Sequence, residues 1–245
     1  RLIKGRNISL FSPSDVPGLY DAFFADQVEF ERLYNIYEND PAIRKKTLKA
    51  VELFSMFMQE RASTGRIYLQ NVDHCNTHSP FDPAKAPIRQ SNLCLEIALP
   101  TKELTDINDT EGEIALCTLA AFNLGKLNDL SELEELADLL VRALDSLLDY
   151  QEYPVPAAEK GSMDRRTLGV GVINYAYYLA KNGVKYSNGS AKGLTHRTFE
   201  AIQFYLLKAS NKLAKEYGTC RKFSDTRYAA GELPIDNYKR DLDAI

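Results

Sequence analysis

Apolar positions recur along this chain at two spacings, and each change of spacing marks an element. Between Leu133 and Leu147, the residues Leu133, Leu136, Ala137, Leu140, Ala143, Leu144 and Leu147 return every three or four positions, which predicts an amphipathic helix. Ser131 with Glu134 has the pattern of a capping box at its start, and Leu130 is placed for a hydrophobic staple. A second helix is expected from a cap at Thr195 to about Tyr217, burying Phe199, Ile202, Leu206, Ala209 and Leu213 and stopping at Gly218. A third covers Ile43 to Ala62, with Asp40-Pro41 at its first turn, Leu48, Val51, Phe54 or Ser55, and Met58 on its apolar side, and Gly65 at its end. Phe23, Phe24, Phe30, Leu33 and Tyr34 give a looser helical spacing over Tyr20 to Asn39, after a short strand or turn leading to a helix that Ser14-Asp15 is placed to cap. Tyr175 to Ala180 is helical, ending near Gly183.

Period-two runs fall between these helices. Arg66 to Val72 and Ile114 to Leu119 are rich in strand formers, and the second places Cys117 on an apolar element. Ser91 to Ile97 alternates strictly, so an extended backbone sends Asn92, Cys94 and Glu96 to one side and Leu93, Leu95 and Ile97 to the other. Gly169-Val170-Gly171 beside Arg165 and Arg166 suggests phosphate binding, but no third glycine completes the dinucleotide fingerprint, and a tight strand-to-helix turn is more economical. Strands alternating with helices argue for an α/β fold, although periodicity leaves open whether a sheet closes. No internal repeat or low-complexity linker marks a second domain. The tail from Tyr228 is loop-rich and ends near the charged Lys239-Arg240-Asp241.

Composition narrows the class. The chain has 245 residues, 44% hydrophobic and 26% charged, ordinary values for a globular protein with a sizeable core. Its net charge of −4 offers no general attraction to nucleic acid or to an anionic membrane surface. No apolar run approaches the ~20 residues that span a bilayer. Four irregularly spaced cysteines do not make a disulfide scaffold, so a reducing cytoplasm is expected. Asp73-His74-Cys75-Asn76-Thr77-His78 holds metal-binding residue types, yet its spacing matches no zinc framework, and a surface or site-flanking loop is expected instead. The acidic run Asp106 to Glu113 lacks EF-hand spacing and reads as a wet turn.

The chemistry concentrates in Asn92, Cys94 and Glu96. A thiol here is a nucleophile, a metal ligand, a redox centre or simply a small core hydrophobe, depending on its surroundings. Glu96 can take a proton, and Asn92 can donate and accept hydrogen bonds. The segment SNLCLEIALPTKEL, followed by GEIALCTLAAFNLG, resembles the catalytic subunit of class I ribonucleotide reductases. RLIKGRNISLFSP, NVDHCNTHSPFDP, RRTLGVGVINYAYYLA and LTHRTFEAIQFYLLKASN agree with it along nearly the whole chain.

That resemblance implies a fold, roles and partners. The fold is an α/β barrel of ten strands with helices packed outside, of which residues 1–245 are an internal segment of a single catalytic domain. The radical cysteine lies on a loop entering the barrel centre. Cys94 becomes the thiyl radical that takes the 3′-hydrogen of the ribose, Glu96 deprotonates the 3′-hydroxyl, and Asn92 orients the sugar. Asn92, Leu93 and Glu96 line the substrate. Cys117 is half of a redox pair whose other cysteine lies upstream of Arg1. The resemblance implies no metal or cofactor in this chain, the radical coming from a separate metal-containing small subunit. Further partners are the remaining segments of the large subunit, a ribonucleoside diphosphate substrate, and thioredoxin or glutaredoxin as reductant. Beginning at Arg1 and stopping at Ile245 in mid-pattern, the chain is expected to be a cropped or split piece, inactive alone. Two other readings stand beside this one: a glycyl- or thiyl-radical relative with another substrate, and a catalytically silent structural fragment.

Overall fold

Strand β1 (Asn7–Phe11) pairs antiparallel with β2 (Lys45–Lys49), Ser9 lying opposite Thr47. Between them run α1 (Leu19–Ala25) and α2 (Gln27–Asn39). Gly18, at φ 77°, opens α1, whereas Ser14 and Asp15 belong to a short 3-10 turn instead of capping it. Asp26 caps α2 by accepting the amides of Val28 and Glu29 at 2.9 and 3.1 Å. Val16, Leu19 and Tyr34 are buried together, and the Tyr34 hydroxyl both accepts from the Ser9 amide (2.6 Å) and donates to its carbonyl (2.9 Å). The helix expected from Ile43 begins only at Ala50, as α3 (Ala50–Thr64), because residues 45–49 are drawn into the ladder with β1. Long-range pairing here outweighs a local helical pattern. Gly65, at φ 68°, ends α3 as expected. Of that helix only Ala50 is buried; Val51, Phe54, Met56 and Met58 stay exposed. Residues 66–71 form no strand, since no neighbour supplies a ladder, and they lead into α4 (Val72–Thr77).

These elements belong to one of two compact units in this computed structural model, which describes residues 1–237. That unit holds residues 1–100 and the segment from Glu232; the other holds residues 101–231. The charged Lys239-Arg240-Asp241 lies outside the described residues.

The second unit opens with the expected wet turn. Lys102 and Glu113 bridge its base, and Asp109 gathers the amides of Thr105, Glu111 and Gly112 at 2.8, 2.6 and 3.0 Å. Those donors hold the Asp109 carboxyl well below the usual carboxylate range. Then follow β3 (Thr118–Asn123), α5 (Glu132–Tyr150), α6 (Pro156–Arg165), β4 (Leu168–Ile173), α7 (Tyr175–Lys181) and α8 (Lys192–Tyr217). β3 and β4 pair in parallel, Leu119 opposite Gly169 and Ala121 opposite Gly171. Phe122, Leu168, Val170 and Val172 pack into the main core with Leu133, Ala137, Val141, Tyr178, Leu179 and Ile202. The opposite face of the same strands is uncovered, with Leu119 and Ile173 exposed at 61% and 53%. Alternate residues of a strand go to opposite faces, so one side meets the helices and the other is bare.

Helices α5 and α8 run parallel and in register. Glu134 pairs with Lys208, Asp138 with Lys212 (3.2 Å), and Arg142 with Glu216 (2.7 Å). The buried stripe of α5 is Leu133, Ala137, Val141, Leu144 and Leu148, so Leu136 and Leu147, expected inside, remain exposed. The capping box also differs. Ser131 makes no side-chain cap; Glu132 accepts the amides of Asn128 and Asp129, and Glu134 is occupied by Lys208. α8 starts three residues before Thr195, buries Thr198, Ile202 and Ala209, and leaves Phe199 exposed.

A closed ten-stranded barrel is not what these residues form. Among the described residues there are two sheets of two strands each. Closure requires every strand to have two neighbours, and here each has one. Among the same residues no helix is long and apolar enough to cross a membrane.

Candidate functional site

The alternating stretch 91–97 is a tight turn, not a strand. The Leu95 amide donates to the Asn92 carbonyl at 3.2 Å, and the Asn92 amide donates to the Ile97 carbonyl at 3.2 Å. The Asn92 side chain closes the loop, its Oδ1 accepting the Ile97 amide at 3.0 Å. An asparagine whose side chain replaces a backbone acceptor competes directly with sheet pairing, which is why the period-two pattern fails here. Leu95 sits at φ 66°, in the left-handed region that a leucine rarely adopts. That conformation reverses the chain just after Cys94 and leaves Asn92, Leu93, Cys94 and Glu96 all exposed. Leu93, expected in an apolar anchor, is 93% exposed.

The anchor lies at the feet of the turn. Phe81, Ala86 and Ile88 are buried on the incoming side, and Ala98 and Leu99 pack against them on the outgoing side. Asn76 of α4 fixes this small core: its Nδ2 donates to the carbonyls of Val72 and Ile88 at 2.9 and 2.8 Å, and its Oδ1 accepts the Ile88 amide at 2.8 Å. The side chain thus serves Ile88 as a neighbouring strand would. Sequence reading missed Asn76, because its neighbours drew attention to metal binding. The rings of His74 and His78 are 6.0 Å apart edge to face, and both side chains are exposed. Among the described residues no group of three or more His, Cys, Asp or Glu gathers to hold a metal ion.

Cys117 belongs to the other unit and directly precedes β3. It is half-buried, and the alternation of the strand puts it on the uncovered face with Leu119. Thr167 steadies this entry, its Oγ1 donating to the Leu116 carbonyl at 3.1 Å. Across the ladder stands Gly169, where a Cβ would come within 2.5 Å of the Cys117 sulfur. The glycine pair lies within β4 itself, and the adjacent arginines are committed to carboxylates: Arg165 to Glu113 at 2.8 Å, Arg166 to Asp145 and Asp149 at 2.7 and 2.9 Å. Cys220 lies in the loop after α8, where burial pushes its thiol up from the ordinary value.

The turn leaves a thiol, a carboxylate and an amide exposed within five residues; a thiol can give up a hydrogen atom, and a carboxylate can take a proton. A second thiol on a bare strand face suits a redox partner. Residues 1–244 match the family described as ribonucleotide reductase, barrel domain. The chain is similar over its whole length to ribonucleoside-diphosphate reductase subunit alpha of Haemophilus influenzae, at 75% identity, and to ribonucleoside-diphosphate reductase 1 subunit alpha of Escherichia coli, at 76%. The subunit alpha of enterobacteria phage T4 is 53% identical over the same span. In each case the chain spans 32% of the relative's length. A match that runs from the first strand through both thiol sites and the last long helix settles the affiliation: the chain belongs to the ribonucleotide reductase barrel-domain family.

Proposed function

We propose that this chain is the thiol-bearing core of a ribonucleoside-diphosphate reductase alpha subunit, both of its units forming part of one catalytic barrel domain. The observation that carries the reading is the turn that lifts Cys94 and Glu96 together off a buried anchor, within a sequence 75% identical to such a subunit. Cys94, as a thiyl radical, removes the 3′-hydrogen of a ribonucleoside diphosphate and later returns it. Glu96 takes the 3′-hydroxyl proton, which pushes electron density towards C2′ as the C2′–O bond breaks. Asn92, its Oδ1 held by the Ile97 amide, keeps its NH2 group for the sugar oxygens, and Leu93 lies against the substrate.

Cys117 and a second thiol of the subunit complete the balance. One supplies the proton that lets the 2′-oxygen leave as water, the pair supplies a hydrogen to C2′, and the two sulfurs join in a disulfide. The chain itself needs no metal or cofactor in this scheme. A separate metal-containing small subunit delivers the radical, and thioredoxin or glutaredoxin reduces the disulfide, which fits a cytoplasmic setting.

The test is reduction of a ribonucleoside diphosphate by the complete alpha subunit carrying this sequence, mixed with the small subunit. Wild type should turn over, and Cys94→Ser should remove activity to the detection limit while leaving assembly intact. An assembled mixture with no Cys94-dependent reduction would sink the proposal and favour the catalytically silent fragment.

A further inference from the structure

We propose that Gly169 is a positioning residue for the Cys117 thiol, holding open the space into which the sulfur turns on the bare face of β3 and β4. This rests on the reading of Cys117 as the redox thiol. The parallel register sets Gly169 opposite Leu119, and Cys117 lies two residues before Leu119 on the same face. A Cβ built on Gly169 would stand 2.5 Å from the Cys117 Sγ and closer still to a Leu119 methyl. Carbon and sulfur in contact need about 3.5–4 Å, so the sulfur would have to retreat by about 1 Å. Gly171 is the internal comparison. It lies on the same strand and face, yet an added Cβ there meets nothing within 4 Å. Neither glycine has a positive φ, so backbone freedom does not explain them. Of the two, only Gly169 faces neighbours in the space a Cβ would take, and one of them is the sulfur.

The step that depends on this placement is the reduction at C2′. There the C2′–O bond breaks, water leaves, C2′ gains a hydrogen, and Cys117 forms an S–S bond with the second thiol. Both the hydrogen transfer and the S–S bond depend on where the sulfur sits. An error of about 1 Å in a reacting atom costs about 100-fold in rate. On this proposal Gly169 has a part in the reduction step and none in substrate binding.

The experiment uses the complete alpha subunit with its small subunit and compares Gly169→Ala, Gly171→Ala and the double variant Gly169→Ala/Leu119→Ala. Gly169→Ala should lower kcat about 100-fold with KM unchanged, and Gly171→Ala should stay within about twofold, as expected for a site with open space. Removing the Leu119 side chain should not restore the rate, because the sulfur still meets the new methyl. Full activity in Gly169→Ala, or rescue by Leu119→Ala, overturns the proposal. A thermal cycle with Cys117→Ala covers the case in which Gly169→Ala folds poorly. The drop in Tm from Gly169→Ala should shrink when the sulfur is gone, and an equal drop in both backgrounds overturns the contact. The cycle reads out even if wild type reduces no nucleotide, so failure of the functional reading is distinguishable from failure of this one.

Discussion

Asn92 does two jobs with one side chain, and they can be separated. Its Oδ1 accepts the Ile97 amide and so shapes the turn, while its NH2 group is left to donate outward. Asn92→Asp keeps the acceptor and loses the donor; Asn92→Ala loses both. A hydrogen bond of this kind contributes about 1 kcal/mol, so Asn92→Ala should speed exchange of the Ile97 amide about fivefold, with Asn92→Asp close to wild type. Unchanged exchange in the alanine variant would mean the turn is held by other bonds. The residue types at 92, 94 and 96 were legible from the sequence as candidates for chemistry. Their geometry was not, because strict alternation describes both a strand and a turn whose own asparagine supplies the missing acceptor. Gly169 was legible only as a turn or phosphate signal, since its reason is the sulfur across the ladder.

Among the elements, the ion-pair ladder between α5 and α8 yields a pH prediction. Arg142 bonds Glu216 and Asp138, and this contact holds both carboxyls below their ordinary values. Carboxyls depressed in the folded state contribute stability above their unfolded pKa values, about 4, and lose it as pH falls through the lower folded values. Arg142→Ala should therefore lower Tm at pH 7 and leave a shallower loss of Tm on acidification below about pH 4. Parallel acid limbs for the two proteins would show that the ladder contributes nothing. Helix existence was legible wherever apolar spacing ran long, as in α5 and α8. Helix edges were not: Ser131 and Thr195 both look like caps, but Glu132 accepts the amides ahead of α5, and Thr195 lies inside α8 with its hydroxyl donating to the Ala191 carbonyl.

For the whole molecule, residues 101–231 contain their own core, from Phe122 through Ala209, and both strands of one sheet. A polypeptide of those residues should melt cooperatively with a helical circular dichroism spectrum; a featureless melt would mean the core depends on the rest of the chain. The α/β class and its family were legible from the sequence, but barrel closure was not, since closure is a property of strands that must meet partners. Pairing at two different sequence separations also gives the molecule a calendar. The turn around Cys94 closes between Asn92 and Ile97, a reach that chains explore in about 10–100 ns. Thr118, by contrast, must find Leu168 across an intervening helix pair, and parallel pairings of that reach are slow. Cys94 is therefore displayed early, on a finished turn, while the strand that follows Cys117 is still searching for its neighbour. In a newborn chain Cys94 stands open to solvent on its closed turn before β3 and β4 have met.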